Sequence, residues 1–420
     1  MVDITVFGEV TIDVLDQRYC RPGGIAYSAL AGRCVGASTA VGGYVGSEAT
    51  SWMRFIFSSR EVDHRYLLAK DRPTTTFYIN GSDEVEAPAV CRQDSGFPLN
   101  GVWPDNFETR ALLAYACPSE TLHEVISRCP GALICYDLQY DMGPQEELEA
   151  VLKRCNVVFV SRSQAVEYFG IPKVSDLARY ILQLGPSVVV IKCGLSGSLV
   201  FSKDGEVHVP RFCADWQQSV GAGDVYNAVF IAKLLEGSDL TTAGESAAAA
   251  TAAYCEGHGD TLLKSWDLQA ELQRDRFFLH PDSRTGRHIY LAAPFFDWSE
   301  RTLVQRTKAL LEHHGYRVYS PFDEDGILYS HDVMRESSVF GREKKAIEEA
   351  LAVVSLLDGN DPGTMWEIGF AVGCDVPVIS LWTADYYSLN LMPRMSTTVV
   401  NSYQQLVLEL LEVTRQCQNP

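Results

Sequence analysis

Two short segments hold residue types whose spacing can do bond chemistry. In the first, Ser219-Val220-Gly221-Ala222-Gly223-Asp224 runs into the apolar helical stretch 225–235, so two glycines open a helix and a carboxylate falls in its first turn. Such a helix start offers unpaired N–H groups and the positive end of the peptide dipoles to a phosphate. Asp224 beside them could take the proton of an attacking hydroxyl. Structural tightness explains the glycines equally well at this level. In the second segment, Asp358-Gly359-Asn360-Asp361-Pro362-Gly363-Thr364-Met365-Trp366-Glu367-Ile368-Gly369 leads from a strand end through a turn into a helix. Open parallel sheets bind ligands at such places, and Asp361 and Glu367 would face one crevice. Thr364-x-x-Glu367 also reads as a helix capping box, worth about 0.5–2 kcal/mol for the Thr hydroxyl, and spacing alone leaves both readings open.

Both segments need a scaffold that ends strands beside helix starts, and the apolar periodicity supplies one twice. Residues 4–7 alternate, Gly23-Gly24 leads into a small-residue helix at 26–36, and apolar runs at 133–136, 157–160 and 188–191 alternate with helical stretches at 146–154 and 174–184. That rhythm predicts a mostly parallel sheet with helices on it. The Thr-, Phe- and Tyr-rich stretch 74–80 falls outside the rhythm and is expected as a separate small sheet or lid. After an alanine-rich helix at 243–254 and a polar stretch at 267–287 the rhythm restarts. Strands are expected at 288–292, 318–319, 353–357 and 376–381, with helices at 300–314, 341–350 and 365–373. The expectation is two α/β domains, 1–265 and 287–420, joined by a linker at 266–286.

Composition agrees with two soluble domains. A chain of 420 residues exceeds what one hydrophobic core supports, and 46% hydrophobic with 21% charged residues is an ordinary globular balance. Against 54 Asp and Glu stand 35 Lys and Arg, a net charge of −19. This argues against nucleic acid polymers and anionic membrane surfaces as partners. No run reaches the roughly 18 apolar residues of a membrane helix, and the start MVDITVFGEVTIDVL lacks the features of a signal peptide. A cytoplasmic location is therefore expected. The twelve cysteines include no CxxC pair, so no metal site is expected and the cysteines read mostly as small buried side chains.

The ordered series Gly23-Gly24-Ile25-Ala26-Tyr27-Ser28, Lys192-Cys193-Gly194-Leu195-Ser196-Gly197 and Gly221-Ala222-Gly223-Asp224 resembles the PfkB or ribokinase family over about residues 1–262. The resemblance implies a ribokinase-like α/β sandwich with a small lid sheet, ATP with Mg2+ as cofactor, and a sugar or nucleoside as phosphoryl acceptor. Residue by residue, it implies that Asp13, Gly23 and Gly24 grip sugar hydroxyls and that Asp224 is the catalytic base. The amides of Gly221, Ala222 and Gly223 would form the anion hole, with Lys192 and Gly194 along the ATP side. Two positions depart from the family. Its Asn-x-x-Glu, which helps organise magnesium and phosphate, reads Ser161-Arg162-Ser163-Gln164, and its Asp-Thr before the glycines reads Gln218-Ser219. These losses weaken cation binding more than they weaken the fold.

In the second half, Tyr290-Leu291-Ala292-Ala293-Pro294-Phe295, Ser320-Pro321-Phe322, the Asp358–Gly369 segment and Asn390-Leu391-Met392 resemble nucleoside 2-deoxyribosyltransferases over about residues 287–410. The resemblance implies a Rossmann-like (flavodoxin-like) parallel sheet that needs no cofactor. Glu367 would attack the anomeric carbon of a 2-deoxynucleoside and hold the sugar covalently until a second base or water takes it, as in retaining glycosidases. The helix start should keep Glu367 ionised. Asp361 would exchange a proton with the leaving base, Tyr290 would orient the nucleophile, and Glu343 would be a further carboxylate of the pocket or else a solvated helix residue. Asn390 and Met392 match positions supplied by a neighbouring subunit, which implies a homo-oligomer, at least a dimer.

Joined, the two halves imply a bifunctional enzyme of nucleoside metabolism acting on small nucleosides, nucleobases or sugars. The alternative is a hydrolase of 2-deoxynucleoside 5′-monophosphates or another N-glycoside, whose kinase-like domain senses a nucleotide or sugar without phosphoryl transfer. Ser320, Ser337 and Ser338 would then face a 5′-phosphate, or serve as surface polar residues.

Overall fold

The computed structural model describes residues 1–15, 19–79, 91–93, 103–115, 117–139, 144–214, 219–257, 262, 264–284, 286–326, 333–383 and 389–418. The chain divides into two units, Met1–Phe278 and Leu279–Pro420.

The first unit is built on β1 (Val2–Leu15), β2 (Tyr19–Gly24), β3 (Thr39–Gly46), β4 (Asp63–Lys70), β5 (Thr76–Ile79), β6 (Cys91–Gln93), β7 (Thr109–Ala114), β8 (Leu133–Leu138), β9 (Val157–Ser161), β10 (Val188–Lys192), β11 (Ser198–Ser202) and β12 (Gly205–Val209). The main sheet runs β12-β11-β10-β9-β8-β7-β1-β3-β4. It is parallel from β10 to β4, and β11 and β12 form an antiparallel edge. Helices cover both faces, which is why its strands read as continuous apolar runs. Ile4, Val6, Val157 and Phe159 pack toward the helices Ile25–Cys34, Ala222–Leu235 and Leu240–Cys255. Phe7, Leu112, Val158 and Val160 pack with residues of the helices Ser119–Ser127, Gln145–Leu152 and Val174–Gln183. The last of these buries Val174, Leu177, Ala178 and Ile181, the spacing of one helical face.

Strand β1 belongs to two sheets. Ile4–Glu9 pair with β3, whereas Ile12–Leu15 pair in parallel with β5 and Val10–Leu15 pair antiparallel with β2. With β6 added to β5, this forms the small second sheet that the 74–80 stretch foreshadows.

The stretch expected as a linker, 266–286, is structured through Phe277. Asp267 Oδ1 caps the helical turn Leu268–Glu271, and β14 (Arg276–Phe277) pairs with β13 (Arg211–Phe212). Reciprocal stacking ties the ribbon: the Arg211 guanidinium lies 4.9 Å from the Phe277 ring centre and that of Arg276 lies 5.0 Å from Phe212. These pairings draw the polar stretch onto the first unit, so the division falls after Phe278. A polar composition hid this because Arg stems and rings carry the packing.

The second unit holds β15 (His288–Ala292), β16 (Arg317–Tyr319), β17 (Ala352–Leu356), β18 (Val378–Leu381) and β19 (Thr398–Val400). All are parallel in the order β16-β15-β17-β18-β19. Numbered within the unit this is 2-1-3-4-5, the flavodoxin-like order, with its ligand crevice between the first and third strands. The helix expected at 341–350 begins earlier, at Val333. Strand β19 and the helix Tyr403–Gln418 complete the sheet without having been read from the sequence; the helix buries Leu406, Val407, Leu410 and Leu411. No described helix is long and apolar enough to cross a membrane. Cys34, Cys129, Cys135, Cys155, Cys193 and Cys255 are buried thiols outside any disulfide.

Phe159 on β9 meets Phe230 of the helix Ala222–Leu235 edge to face at 5.6 Å, and both are fully buried. Phe159→Ala should destabilise the first unit by about 3–5 kcal/mol, read as an earlier transition of that unit in urea.

Candidate active sites

In the first unit the candidate groups converge where the parallel strands end. Gly221 (φ 85°) is the N-cap of the helix Ala222–Leu235, and no side chain caps it. The turn closes on itself through Ala222 N–H to the Ser219 carbonyl and Asp224 N–H to the Gly221 carbonyl. Two donors fix it from outside, Arg21 Nη2 to the Val220 carbonyl at 2.9 Å and the Tyr254 hydroxyl to the same oxygen. Asp224 stands in the first helical turn. Its carboxyl is pushed up to about 7, chiefly by removal from water and then by the nearby charge of Asp137. Lys192 and a hydrogen bond from Tyr115 favour the ionised form but do not overcome the burial.

Asp13 lies on the lid half of β1 and is buried rather than solvated. It accepts from the Tyr27 hydroxyl at 2.5 Å and from Thr11 Oγ1 at 3.2 Å, and burial raises its pKa. Gly23 is pressed against it, since a Cβ there would meet Asp13 Oδ1 at 2.3 Å, and a Cβ on Gly24 would meet the Glu9 carbonyl at 2.3 Å. Asp13, Gly23 and Gly24 therefore form one cluster. Gly194 opens the turn Gly194–Ser196 after β10. Lys192, at the end of β10, turns its ammonium to Asp137 Oδ1 (3.1 Å) and Asn227 Oδ1 (3.2 Å), beneath the Asp224 turn. In the Ser161–Gln164 turn, Ser161 Oγ donates to Gln164 Oε1 at 2.6 Å. Gln218 lies outside the described residues.

In the second unit the crevice between β15 and β17 holds the other set. Tyr290 on β15 is fully buried and donates to Glu367 Oε1 at 2.5 Å. Its ring stacks on Tyr319 of the neighbouring strand, with centres 5.5 Å apart. The helix Pro362–Gly373 is capped by Asp361, whose Oδ2 accepts from Thr364 N–H at 2.7 Å and Thr364 Oγ1 at 3.1 Å. This corrects the capping-box reading: Pro362 takes the first helical position, Asp361 is the cap, and Glu367 is left for the crevice. It also corrects the expected ionisation. Glu367 sits in the second turn, beyond the strongest reach of the dipole, and is pushed up to about 8 by removal from water. The Tyr290 hydrogen bond opposes that rise, while Glu343 and Asp361 add to it.

Glu343 is half-buried, raised by burial and by Asp325, and acts on both Glu367 and Tyr290, so it belongs to the crevice rather than to a solvated face. Asp325 is ion-paired with Arg342. Asn390 caps the short helix Leu391–Ser396 through Oδ1 to Met392 N–H at 3.1 Å, and Met392 is 70% exposed. Ser320 is buried at a helix start, whereas Ser337 and Ser338 are exposed.

With both sites laid out, comparison with known proteins separates the halves. The family model described as pfkB family carbohydrate kinase matches residues 8–267. The chain belongs to that family. The nucleoside 2-deoxyribosyltransferase model matches residues 289–402, and the chain is a fusion of the two. A nucleoside kinase of Methanothermobacter thermautotrophicus is 26% identical over 256 residues, 58% of this chain and 81% of the relative. A cytidine kinase of Thermococcus kodakarensis is 24% identical over 262 residues, 57% and 91% of the two chains. An Arabidopsis thaliana ribokinase, solved with ribose and ATP, superposes with a TM-score of 0.55 at 17% identity, covering 65% of this chain and 99% of that one. The first unit has the ribokinase-like fold.

Within the kinase-family unit, the uncapped helix start and the Lys192 ammonium fit a polyphosphate such as that of ATP. The Ser161–Gln164 pair is neutral and offers no carboxylate to a magnesium ion, so no metal step is assigned to that turn. Sequence reading missed Tyr115, Arg21, Asp137 and Asn227 here, and Tyr319 and Asp325 in the transferase-family unit. Tyr115, Asp137 and Asn227 have partners 87, 55 and 35 residues away, and Arg21 reaches the Val220 carbonyl 199 residues on, which no local spacing marks.

Tyr115→Phe removes a donor to Asp224, so the Asp224 pKa should rise above about 7 and the acid limb of any Asp224-dependent rate should move to higher pH; a pH–rate profile measures it. Glu367 holds a proton in the folded state up to about 8 and in the unfolded state only to about 4.3. The folded form thus binds more protons between those values, and stability falls as pH rises through that window. Glu367→Gln should flatten this fall, as melting temperatures at pH 5 and pH 8 would show.

Proposed function

We propose that the chain is a bifunctional enzyme of nucleoside metabolism. The transferase-family unit cleaves the N-glycosidic bond of a 2-deoxynucleoside through Glu367, and the kinase-family unit phosphorylates a sugar or nucleoside with ATP. The observation that carries the first activity is the 2.5 Å bond from buried Tyr290 to Glu367, in the crevice that also contains Asp361 and Glu343. The hydroxyl holds one carboxylate oxygen and leaves the other for the anomeric carbon. As the sugar gains oxocarbenium character, the surrounding carboxylates stabilise its positive charge. The proton that Glu367 gives up as it bonds to the anomeric carbon is relayed by Asp361, which spends one oxygen on its cap, to the base nitrogen, and the bond from that nitrogen to the sugar breaks. Water or a second base then displaces Glu367 from the sugar.

For the kinase activity, Asp224 with a pKa of about 7 is a base matched to neutral pH. The relatives named nucleoside kinase and cytidine kinase support a nucleoside as acceptor. The exposure of Leu391, Met392 and Met395 at 57%, 70% and 74% supports a second copy of the chain packing there, with Asn390 and Met392 completing its pocket. We place the enzyme in the cytoplasm. A second reading keeps the kinase-family unit as a nucleotide or sugar sensor, and the neutral Ser161–Gln164 pair favours it.

The test is a panel of 2-deoxynucleosides and their 5′-monophosphates, with and without a second free base, followed by chromatography. Glu367→Ala should lower base release by at least about 1000-fold, and undiminished release would reject Glu367 as nucleophile. Acceptor-dependent ATP turnover lost in Asp224→Asn would reject the sensor.

A further inference from the structure

We infer that Arg21, carried by the small sheet, is a positioning residue that joins the Asp13 cluster to the Gly221 turn through Tyr27, so that filling either place strengthens binding at the other. The inference rests on reading the first unit as a kinase. Arg21 lies on β2 in register with Asp13 of β1. Its guanidinium reaches two distant segments at once: Nε donates to the Tyr27 hydroxyl at 2.9 Å and Nη2 to the Val220 carbonyl at 2.9 Å. The Tyr27 hydroxyl in turn donates to Asp13 Oδ2 at 2.5 Å. Asp13, Tyr27, Arg21 and Val220 thus form one chain of hydrogen bonds, in which each member polarises the next.

The Tyr27 ring makes a second connection. A Cβ on Gly221 would lie 2.7 Å from its Cγ, so the turn packs directly on this ring, and the Arg21 guanidinium stands 5.1 Å from the ring centre. The Val220 oxygen takes another donor, the Tyr254 hydroxyl, and Tyr254 meets Tyr27 edge to face at 6.4 Å. A peptide unit is planar and trans, so holding the Val220 oxygen sets the direction of the Gly221 N–H at the uncapped helix start. Tyr27 and Asp13 are both buried, and in a close-packed interior neither moves without moving its neighbours. An acceptor hydroxyl that bonds Asp13 therefore shifts the phenol. The phenol shifts both the ring against Gly221 and the guanidinium that holds Val220, and by linkage the effect runs equally in the other direction.

Calorimetric titration of the full chain with ADP, without and with saturating cytidine or ribose, tests this, together with the converse titrations and ATP turnover with the same two acceptors. In the wild type ADP and the acceptor should tighten each other by the same factor, about tenfold. R21M should bring that factor to about one while leaving the affinity for ADP alone nearly unchanged. Y27F keeps the ring against Gly221 and removes only the hydroxyl. It should lose the same factor, and R21M/Y27F should lose no more, because both substitutions cut one link. R21K should keep the melting temperature but not the factor, since an ammonium lacks the fork that reaches two partners at once. A wild-type factor of one with both acceptors, or a factor that persists in R21M, overturns the inference and leaves Arg21 a structural residue. A wild-type chain that turns over no ATP rejects the kinase reading, while the factor between ADP and acceptor still decides the role of Arg21. Binding of none of the three ligands by the wild type rejects both.

Discussion

The fold is organised around one costly arrangement, a carboxylate withdrawn from water and steadied by a tyrosine hydroxyl. It occurs at Asp13 with Tyr27, at Asp224 with Tyr115 and at Glu367 with Tyr290. In each case desolvation is the largest influence and raises the pKa, and the phenol recovers only part of what water supplied. Partner and carboxylate come from different elements every time. A parallel sheet with helices on it solves the positioning problem because strand ends and helix starts meet at one edge, the helix supplying one group of each pair and the strand or its end the other.

The two units then differ in what surrounds the carboxylate. Around Asp224 a buried cation, Lys192, offsets two further negative charges, Asp137 and Asp13. Around Glu367 the neighbours are two further carboxyl groups, Glu343 and Asp361, and Arg342 is committed to Asp325. The first environment suits the handling of an anion being transferred; the second suits a sugar carbon that becomes positive.

Much of this was legible in the sequence because it is local. The strand runs, the Gly221–Asp224 helix start and the Asp361–Glu367 turn each lie within a dozen residues. Where two local readings competed, as with the Thr364-x-x-Glu367 capping box, only the structure decided, since the cap depends on which residue first leaves the extended conformation. The ionisation of Glu367 was misread because burial is a property of the packed crevice, whereas the helix dipole is visible in the chain. Tyr115, Asp137 and Asn227 had no local signature at all: their hydrogen-bond partners Ser28 and Lys192 lie 87, 55 and 35 residues away respectively. In the polar 266–286 stretch, within which the two units divide, Arg276 packs on the Phe212 ring as well as through its charge, which composition does not show.

The double membership of β1 carries a mechanical consequence. Glu9 is in register with β3 of the main sheet, and four residues later Asp13 is in register with β2 and β5 of the small one. No loop separates them, so the small sheet is coupled to the large one through a continuous strand. A reorientation of the small sheet twists residues 9–13 of that strand, and the Asp13 carboxylate turns with it. The orientation of the Asp13 carboxylate and the attitude of the small sheet are therefore linked through one strand.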